Sequence, residues 1–542
     1  MKLIEGHLKI FCLLILWTFL TPFFSSSQED ETWYRRSFQL QLSENGTFIN
    51  SDTLFSKLNK GEYFYEDGSL ILKQSKNDTF LSDTLEVVVK EADRLSFSSN
   101  GQTYTYLKDN KLAKSQLTWN GVFRGLLGMF SLILIAFLVS KNRSNINWKL
   151  VLKGILLQAV LAILILKVPF IEGVFDFLSK AFVRVVDMAH EGAMFVFGSV
   201  VTGEMDPIVK NFVTWILPSV IFFSALSSLL YYWGILQRIV FGMAWVMKRL
   251  MGLSGAESVS AAGNVFLGQT EAPLLVKPYL GKMTQSEILC LMAGGMATIA
   301  GGVLASYIGF LGGEDPQQKV FFAKHLLTAS LMSAPAAIVF AKIILPETEK
   351  INNDLSVSKE KLGTNALEAI TNGTVDGVKL AVNVAAMLIV FVSLIALANY
   401  MLDKVGYFTG LNDLIAESGR HDGLSFQYIL GKLLSPIAWL MGVPLQDTTI
   451  IGQLLGEKTI INEFVAYPHL GKLQDEITAK SLIMGTYVLC GFANFASIGI
   501  QVGGIGALAP EKKPILAKYG FYALIVGTLA CMMTATMVGV LF

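Results

Sequence analysis

The sequence predicts an all-α polytopic membrane protein with about eight transmembrane helices, two re-entrant hairpins in an internal repeat, an interfacial amphipathic helix and a small β-rich extracytoplasmic N-terminal domain. The composition is the first reason: 53% of the 542 residues are hydrophobic and 16% are charged, whereas a soluble domain carries about a quarter charged residues. The others are a series of long apolar runs and a pair of similar polar segments embedded among them. The net charge of +1 gives no reason to expect a nucleic acid partner.

Residues 1–27 are typical of a secretory signal peptide. Lys2 and Lys9 precede an apolar stretch over residues 10–24, and a polar segment follows this stretch. This stretch matches a signal peptide better than a spanning helix, so we expect cleavage, with an uncleaved anchor as the alternative.

Residues 28–115 differ from the rest of the chain because apolar and polar residues alternate. The alternation is clearest at residues 37–42, 69–73 and 103–107, and Asn-Gly and Asp-Gly turn sequences lie between such segments. A period of two is that of half-buried β-strands. We therefore expect a β-rich accessory domain outside the cytoplasm.

Basic residues beside the apolar runs predict the membrane topology. They are Lys141, Arg143 and Lys149 after the first run, and Lys512, Lys513 and Lys518 before the last. Because cytoplasmic loops are enriched in Lys and Arg, both groups are expected inside. The β-rich domain and the C-terminus are then extracytoplasmic, in a multi-pass protein of the cell (inner) membrane.

Residues 116–210 are predicted to hold the first two spans, near 126–140 and 150–170, and then a helix with one charged face. Its charges recur every three or four residues, at Glu172, Asp176, Lys180, Arg184, Asp187 and Glu191. The opposite face is apolar, with Phe175, Leu178, Phe182, Val185, Val186 and Ala189. Such a helix lies along the membrane surface or at a subunit interface; a short soluble helix is the alternative.

The remaining apolar runs complete a set of eight. They fall at 211–232, 285–311, 319–345, 377–402, 480–507 and 515–542. Between them, residues 254–282 and 436–472 are interrupted by Gly, Pro and polar residues too often to cross a bilayer simply. Re-entrant hairpins fit these two segments better, with their tips inside protein.

The two hairpins are similar in sequence. Each carries a glutamate, Glu271 or Glu463, followed by Pro, Tyr or His, and Leu-Gly-Lys. Each also precedes a small-residue break in an apolar helix, at residues 297–302 and 491–497. Ionisable groups and broken backbone at membrane depth are costly and normally line a cavity or an ion path. A duplicated set is the pattern of a secondary transporter, so residues 211–542 are interpreted as a transporter core.

The polar residues of the first hairpin indicate what it could bind. Amide, hydroxyl and carboxylate groups at Gln269, Thr270 and Glu271 suit a neutral solute with several hydroxyl groups. Helix-break carbonyls beside Asn264 or Thr298 suit a hard cation such as sodium, which prefers oxygen ligands.

The second helix break adds an aromatic ring and two small polar side chains. Phe492 could cover a planar ring, and Asn494 and Ser497 could bond hydroxyl groups. A single Asn or Ser in a membrane helix can equally serve helix packing. The four cysteines and five histidines show no metal-ligand spacing.

Several motifs resemble the concentrative nucleoside transporter family over roughly residues 120–542. They are Gly268-Gln-Thr-Glu-Ala-Pro-Leu274, Ser333-Ala-Pro-Ala-Ala337, Asn462-Glu-Phe-Val-Ala466 and Gly491-Phe-Ala-Asn-Phe-Ala-Ser-Ile498. The resemblance implies a homotrimer with eight spans, two hairpins and an interfacial helix, which couples nucleoside entry to a sodium or proton gradient.

The resemblance also implies roles for individual residues. Gln269, Thr270 and Glu271 would recognise the nucleobase, with Val303 and Phe492 packing around it. Glu463, Asn494 and Ser497 would bind the ribose hydroxyls. Sodium, as the coupling ion, would be held by the side chains of Asn264 and Thr298 and by the backbone carbonyls of Leu267 and Ile299. No other cofactor is implied.

Other functions remain open on the residues alone. They are a proton-coupled nucleoside symporter, a transporter of another polar solute, a membrane receptor that uses the N-terminal domain as a sensor, and an intramembrane enzyme. Paired carboxylates could perform acid–base chemistry, but no nucleophile–base set supports an enzyme. Preference for purines or pyrimidines is left undecided.

Overall fold

The structure is a computed structural model that describes eight strands between residues 31 and 107, and then residues 119–197, 214, 217–313, 315–351, 354, 357, 363–416, 423–474 and 476–542. Contacts divide the chain into two compact units, Met1–Ala113 and Lys114–Phe542. The expected signal peptide lies outside the described residues.

The strands of the first unit pair antiparallel in sequence order and close into a barrel. They are β1 (Glu31–Arg35), β2 (Phe38–Leu42), β3 (Thr47–Asn50), β4 (Lys60–Glu66), β5 (Ser69–Lys76), β6 (Thr79–Lys90), β7 (Arg94–Ser99) and β8 (Gln102–Leu107). Tyr34 opposite Leu107 joins the last strand to the first. The three segments with the clearest alternation fall on β2, β5 and β8. Leu72 in β5 is fully buried, as one face of an alternating strand requires.

The second unit is helical. Its helices are α1 (Trp119–Val139), α2 (Trp148–Lys167), α3 (Pro169–Phe197), α4 (Leu217–Tyr232), α5 (Ile235–Met251), α6 (Gly255–Gly263), α7 (Ala272–Leu275), α8 (Lys277–Leu280), α9 (Gln285–Ala297), α10 (Gly301–Gly312), α11 (Pro316–Ile344), α12 (Ala366–Thr409), α13 (Leu411–Ala416), α14 (Phe426–Leu440), α15 (Thr448–Ile460), α16 (Glu463–Lys472), α17 (Ala479–Leu489), α18 (Phe495–Leu508) and α19 (Lys513–Leu541).

Among the described residues, fewer than eight helical segments have the length and hydropathy expected of a span. Within the described residues, six helical segments are long and apolar enough to cross a membrane, and α4 with α5 adds a seventh that is bent by 77°. The run at 480–507 is divided into α17, of 11 residues, and α18, of 14 residues. Neither reaches the roughly 20 residues that a span needs, because the break between them interrupts the helix.

The charged face of α3 is partly neutralised by a neighbouring helix. Lys324 of α11 contacts Glu172 at 3.1 Å and Asp176 at 3.0 Å, and Lys319 contacts Asp187 at 3.1 Å. Val183, Val186 and Ala189 of α3 are buried, as expected for the apolar side of an amphipathic helix. The two faces are not separated as predicted, because Leu178 of the predicted apolar face is 47% exposed and acidic residues of the predicted charged face contact α11.

The first hairpin consists of α6, a turn over residues 264–271, and the short helices α7 and α8. Ser254 and Glu257 form a capping box at the start of α6, and Thr284 and Glu287 form another at the start of α9. Each box satisfies free amides at a helix N-terminus. The chain therefore starts a helix at the base of the hairpin and another directly after it.

The second hairpin consists of α15 and α16, within the predicted range 436–472. Residues 436–440 of that range are the last turn of α14. Asn462 begins α16, because its side chain accepts a hydrogen bond from the amide of Val465 at 3.2 Å. Glu463 is thus fixed at the first position of a helix, at the hairpin tip.

Candidate functional site

The tips of the two hairpins lie beside the two helix breaks. α9 ends at Ala297 and α10 starts at Gly301, while α17 ends at Leu489 and α18 starts at Phe495. The amide of Gly301 donates to the carbonyl of Phe266 at 3.2 Å, which joins the first break to the first hairpin. Side chains from both repeats therefore converge on this region.

Gln269, at the first tip, is buried and bonded to α18. Its Nε2 donates to Oγ of Ser497 at 3.1 Å, and its Oε1 accepts from Nε2 of Gln501 at 3.1 Å. Gln501 is fully buried and also donates to the carbonyl of Met292 at 2.9 Å. Two predicted site residues, Gln269 and Ser497, are thus in direct contact.

Thr270 and Glu271 are exposed at the same tip. The carboxylate of Glu271 accepts a hydrogen bond from the amide of Gly268, which closes the turn. Glu271 and Val303 line one cavity of about 100 Å³, together with residues of α4 and Asp376 of α12. Asp376 adds a second carboxylate to this wall.

Glu463 lies at the second tip and is buried. Its Oε1 accepts a hydrogen bond from the Tyr307 hydroxyl at 2.9 Å, and its Oε2 accepts from Nδ2 of Asn494 at 2.9 Å. Asn494 is the N-cap of α18, since its Oδ1 accepts from the amide of Ser497 at 2.9 Å. Its position is therefore set by the start of the helix after the break.

A continuous hydrogen-bonded chain results. It runs from Gln269 through Ser497 and Asn494 to Glu463, and so links the first hairpin to the second through the start of α18. Phe492 is buried within the second break, 9% exposed. The structure places Glu271 and Val303 on the cavity wall, and Glu463 belongs to the hydrogen-bonded chain.

Two of the four predicted cation ligands, Asn264 and Thr298, lie beside Gly294 in the last turn of α9. Both polar atoms of the Asn264 side chain are buried and have no hydrogen-bond partner among the described residues. A Cβ added at Gly294 would lie 2.9 Å from Nδ2 of Asn264, and Oγ1 of Thr298 donates to the Gly294 carbonyl at 2.9 Å. Both side chains therefore adjoin Gly294.

The backbone leaves helical geometry at this place. Thr298 has φ −120° and ψ 173°, so it no longer continues the helical hydrogen-bond ladder. Leu267 and Ile299 are buried. An unpartnered amide, a hydroxyl and backbone carbonyls are oxygen donors of the kind that suits a hard cation. Within the described residues no group of three or more His, Cys, Asp or Glu forms a metal site.

Three residues that contact or line the candidate site, Gln501, Tyr307 and Asp376, were not predicted from the sequence. Gln501 follows Ser497 by one helical turn, and this spacing was the available signal. Tyr307 follows the first break and Asp376 directly precedes the apolar run 377–402, and neither carries a local motif. Their roles depend on which helices become neighbours.

Two hairpins that place carboxylates beside interrupted helices define the site of a secondary transporter. Three family models match the second unit: "Na+ dependent nucleoside transporter N-terminus" at residues 127–200, "Nucleoside recognition" at 213–314 and "Na+ dependent nucleoside transporter C-terminus" at 325–539.

Individual relatives agree with these matches. The chain is 39% identical over 421 residues to the nucleoside permease NupC of Helicobacter pylori, covering 76% of this chain and 96% of the relative. It is 40% identical over 432 residues to solute carrier family 28 member 3 of Mus musculus, covering 76% of this chain and 58% of the mouse protein. The chain thus spans little more than half of that mammalian relative.

A solved structure gives the same result. CNTnw in an inward-facing substrate-bound state matches with a TM-score of 0.69 and 37% identity, over 78% of this chain and 99% of CNTnw. The chain belongs to the concentrative nucleoside transporter family. Its relatives are membrane transporters and not enzymes.

Proposed function

We propose that this protein is a secondary active symporter that imports nucleosides across the cytoplasmic membrane, driven by a sodium gradient. The observation that carries the proposal is the hydrogen-bonded chain from Gln269 to Glu463. It joins residues from both hairpins into one polar surface, and family membership supplies the substrate class.

One end of this surface suits a nucleobase. Amide, hydroxyl and carboxylate groups at Gln269, Thr270 and Glu271 can pair with the donors and acceptors on a base edge. Val303 and Phe492 supply apolar and aromatic surface for its planar faces.

The other end suits a ribose. A ribose hydroxyl can donate to the Glu463 carboxylate and also bond to Asn494 or Ser497. In the structure, Asn494 and Tyr307 donate hydrogen bonds to Glu463. A bound ribose hydroxyl would replace one of these donors or donate to Glu463 alongside them. An analogue without the hydroxyls leaves a buried polar group unpaired, at about 1–3 kcal/mol per lost partner.

The coupling ion is proposed to bind between Asn264 and Thr298. Sodium there would satisfy the amide oxygen of Asn264 and draw in the carbonyls of Leu267 and Ile299. Because Asn264 and Gln269 belong to the same hairpin turn, cation binding would order the nucleobase end of the site. Coupling requires that each ligand bind more tightly when the other is present.

Transport is proposed to follow alternating access. The loaded hairpins, with the interrupted helices to which they are bonded, would move against the remaining helices. Homotrimeric assembly, an extracytoplasmic N-terminal unit and an extracytoplasmic C-terminus complete the proposal. A proton-coupled symporter with the same nucleoside site is the second candidate, and a receptor is disfavoured by family membership.

The test is uptake of labelled uridine and adenosine into proteoliposomes under an imposed sodium gradient, and separately under a proton gradient. Accumulation with sodium alone supports the whole proposal. Accumulation with protons alone keeps the nucleoside site and rejects the Asn264–Thr298 cation site. If neither nucleoside accumulates under the sodium gradient or under the proton gradient, the proposed substrate class is overturned.

A further inference from the structure

Gln501 of α18 is a fully buried side chain that serves only as a hydrogen-bond donor. Its Nε2 donates to the carbonyl of Met292 at 2.9 Å and to Oε1 of Gln269 at 3.1 Å. A carboxamide nitrogen carries two hydrogens, so both are used. Its Oε1 is buried and has no hydrogen-bond partner among the described residues. The polar contacts of Gln501 are therefore made by its nitrogen.

The Met292 carbonyl fixes the orientation of the Gln501 carboxamide. This carbonyl belongs to the backbone of α9, and a backbone carbonyl can only accept a hydrogen bond. If the Gln501 carboxamide were reversed, its oxygen would face another acceptor in a buried place, which costs free energy. The backbone of α9 therefore determines that the nitrogen of Gln501, and not its oxygen, faces Gln269.

Gln501 in turn fixes the orientation of Gln269 at the tip of the first hairpin. Because Gln501 presents a donor, the oxygen of Gln269 faces it, and Nε2 of Gln269 donates to Oγ of Ser497 at 3.1 Å on the other side. Gly295 lets the tip lie close to α9, since an added Cβ would be 2.9 Å from Cβ of Gln269. The carboxamide therefore presents its nitrogen, and not its oxygen, beside Ser497.

The end of Gln269 beside Ser497 is a donor that faces the other proposed substrate residues. Its Nε2 uses one hydrogen on Ser497, which leaves a second, whereas its oxygen adjoins the fully buried Gln501. Glu271, two residues further along the tip, supplies an acceptor on the cavity wall. A base edge with an oxo group beside an imino N–H, as in uridine and inosine, complements this donor and acceptor.

We propose that Gln501 is a positioning residue that determines which end of the Gln269 carboxamide meets the nucleobase. It thereby shifts the preference of the site towards bases with an oxo–imino edge and away from bases with an amino group beside a ring nitrogen. Gln501 acts through Gln269 and does not touch the substrate. This inference rests on the proposed nucleobase site and deepens it.

The test compares two pairs of nucleosides whose bases have nearly the same shape but reversed donors and acceptors. The pairs are uridine with cytidine and inosine with adenosine. Binding of each nucleoside to the purified full-length protein is measured at saturating sodium. The ratio of the two affinities within a pair reports the orientation of Gln269, whereas a general loss of packing changes both affinities together.

Gln501→Glu is expected to reverse the Gln269 carboxamide. An ionised carboxylate is an acceptor only, and a protonated one can donate to the Met292 carbonyl, so either form offers an oxygen to Gln269. Gln269 then turns its nitrogen towards residue 501 and its oxygen towards the base. The affinity ratios of uridine to cytidine and of inosine to adenosine should fall at least about tenfold from their values in the unmodified protein.

Gln501→Met removes the donor without supplying an acceptor. Gln269 is then held in neither orientation, so the two ratios should lie between those of the unmodified protein and those of Gln501→Glu. Gln158→Met is the matched control. Gln158 is also fully buried and donates to a backbone carbonyl, that of Met332 at 2.8 Å, but it belongs to α2, which holds none of the proposed site residues. Its ratios should equal those of the unmodified protein.

Gly295→Ala disturbs the same contact without altering Gln501. The added Cβ would lie 2.8 Å from Nε2 of Gln501 and should push this nitrogen away from Gln269, so both ratios should fall. This variant decides the question if the Gln501 variants fail to assemble, as judged by size-exclusion profiles.

Two results separate the inference from the proposed function. If the unmodified protein binds the nucleosides, but the Gln501 and Gly295 variants lose affinity equally for both members of each pair, Gln501 has a purely structural role and only the inference is overturned. If the unmodified protein binds none of the four nucleosides, the proposed function fails, and the inference fails with it.

Discussion

The hydroxyl of Tyr307 donates a hydrogen bond of 2.9 Å to Oε1 of Glu463. Tyr307 belongs to α10, which follows the break of the first repeat, and Glu463 begins α16 in the second. The Tyr307 ring also stacks on Tyr467, with centroids 4.2 Å apart, and meets Phe464 edge-on at 5.3 Å. A helix of one repeat thus holds the carboxylate at the hairpin tip of the other.

Tyr307→Phe is expected to weaken nucleoside binding while leaving the fold intact. The ring contacts remain, but Glu463 loses a donor, and a hydrogen bond to a charged group contributes about 1.5–3 kcal/mol. Binding of labelled uridine or adenosine to the purified protein should weaken about tenfold or more. Tyr467→Phe is the control, because its hydroxyl donates to the carbonyl of Thr486 at 2.9 Å instead. Equal effects of the two variants would contradict a specific role for the Tyr307–Glu463 bond.

Glu463→Gln is expected to abolish or severely reduce uptake with normal membrane insertion. Tyr307 and Asn494 both donate to Glu463, and a carboxamide has a single acceptor oxygen for these two donors. The ribose would also lose its charged acceptor. Uptake assays should be paired with a nucleoside that lacks the ribose hydroxyls: we expect the unmodified protein to discriminate against that analogue and the variant to discriminate much less. Near-normal uptake by the variant would remove Glu463 from the ribose site.

Glu271→Gln tests the nucleobase end. The carbonyl of glutamine can still accept from the Gly268 amide that Glu271 now bonds, so the hairpin turn should survive. The charge facing the cavity is lost, and uptake should fall at least about tenfold. Asp376→Asn, which removes the other carboxylate of the cavity wall, is the comparison. An Asp376→Asn defect combined with normal Glu271→Gln uptake would transfer the recognition role to α12.

The hairpins and helix breaks could be predicted from sequence because their signal is local. Gly, Pro and ionisable residues inside apolar runs leave few places where the backbone can lie in a membrane, and Asn494 and Glu463 were identified in this way. Tyr307 could not be identified, since its hydrogen bond to Glu463 joins positions 156 residues apart in the chain. Gln501 had only its one-turn spacing from Ser497 as a signal, because its bond to Gln269 spans 232 residues. Hydropathy over 480–507 likewise does not register the break between α17 and α18.

Gly295→Ala is expected to disturb the nucleobase end. A Cβ at this position would lie 2.8 Å from Nε2 of Gln501 and 2.9 Å from Cβ of Gln269, so one of these side chains must shift. Nucleoside affinity should fall, while the sodium concentration that gives half-maximal binding changes less. Gly499→Ala in α18 is the matched control, because nothing lies within 4 Å of the added Cβ, and Ala is favoured over Gly in a helix by about 1 kcal/mol. Loss of affinity in the control alone would contradict the packing argument.

Gly294→Ala, one position earlier, is expected to act on the cation instead. The added Cβ would lie 2.9 Å from Nδ2 of Asn264, so the substitution crowds this proposed sodium ligand, beside the Gly294 carbonyl that accepts from Thr298. The sodium concentration needed for half-maximal uptake should rise, and high sodium should restore most of the uptake. The two adjacent glycines face different partners because consecutive helical positions point about 100° apart. If Gly294→Ala lowered nucleoside affinity at saturating sodium and left the sodium requirement unchanged, the cation would have to bind away from Asn264 and Thr298.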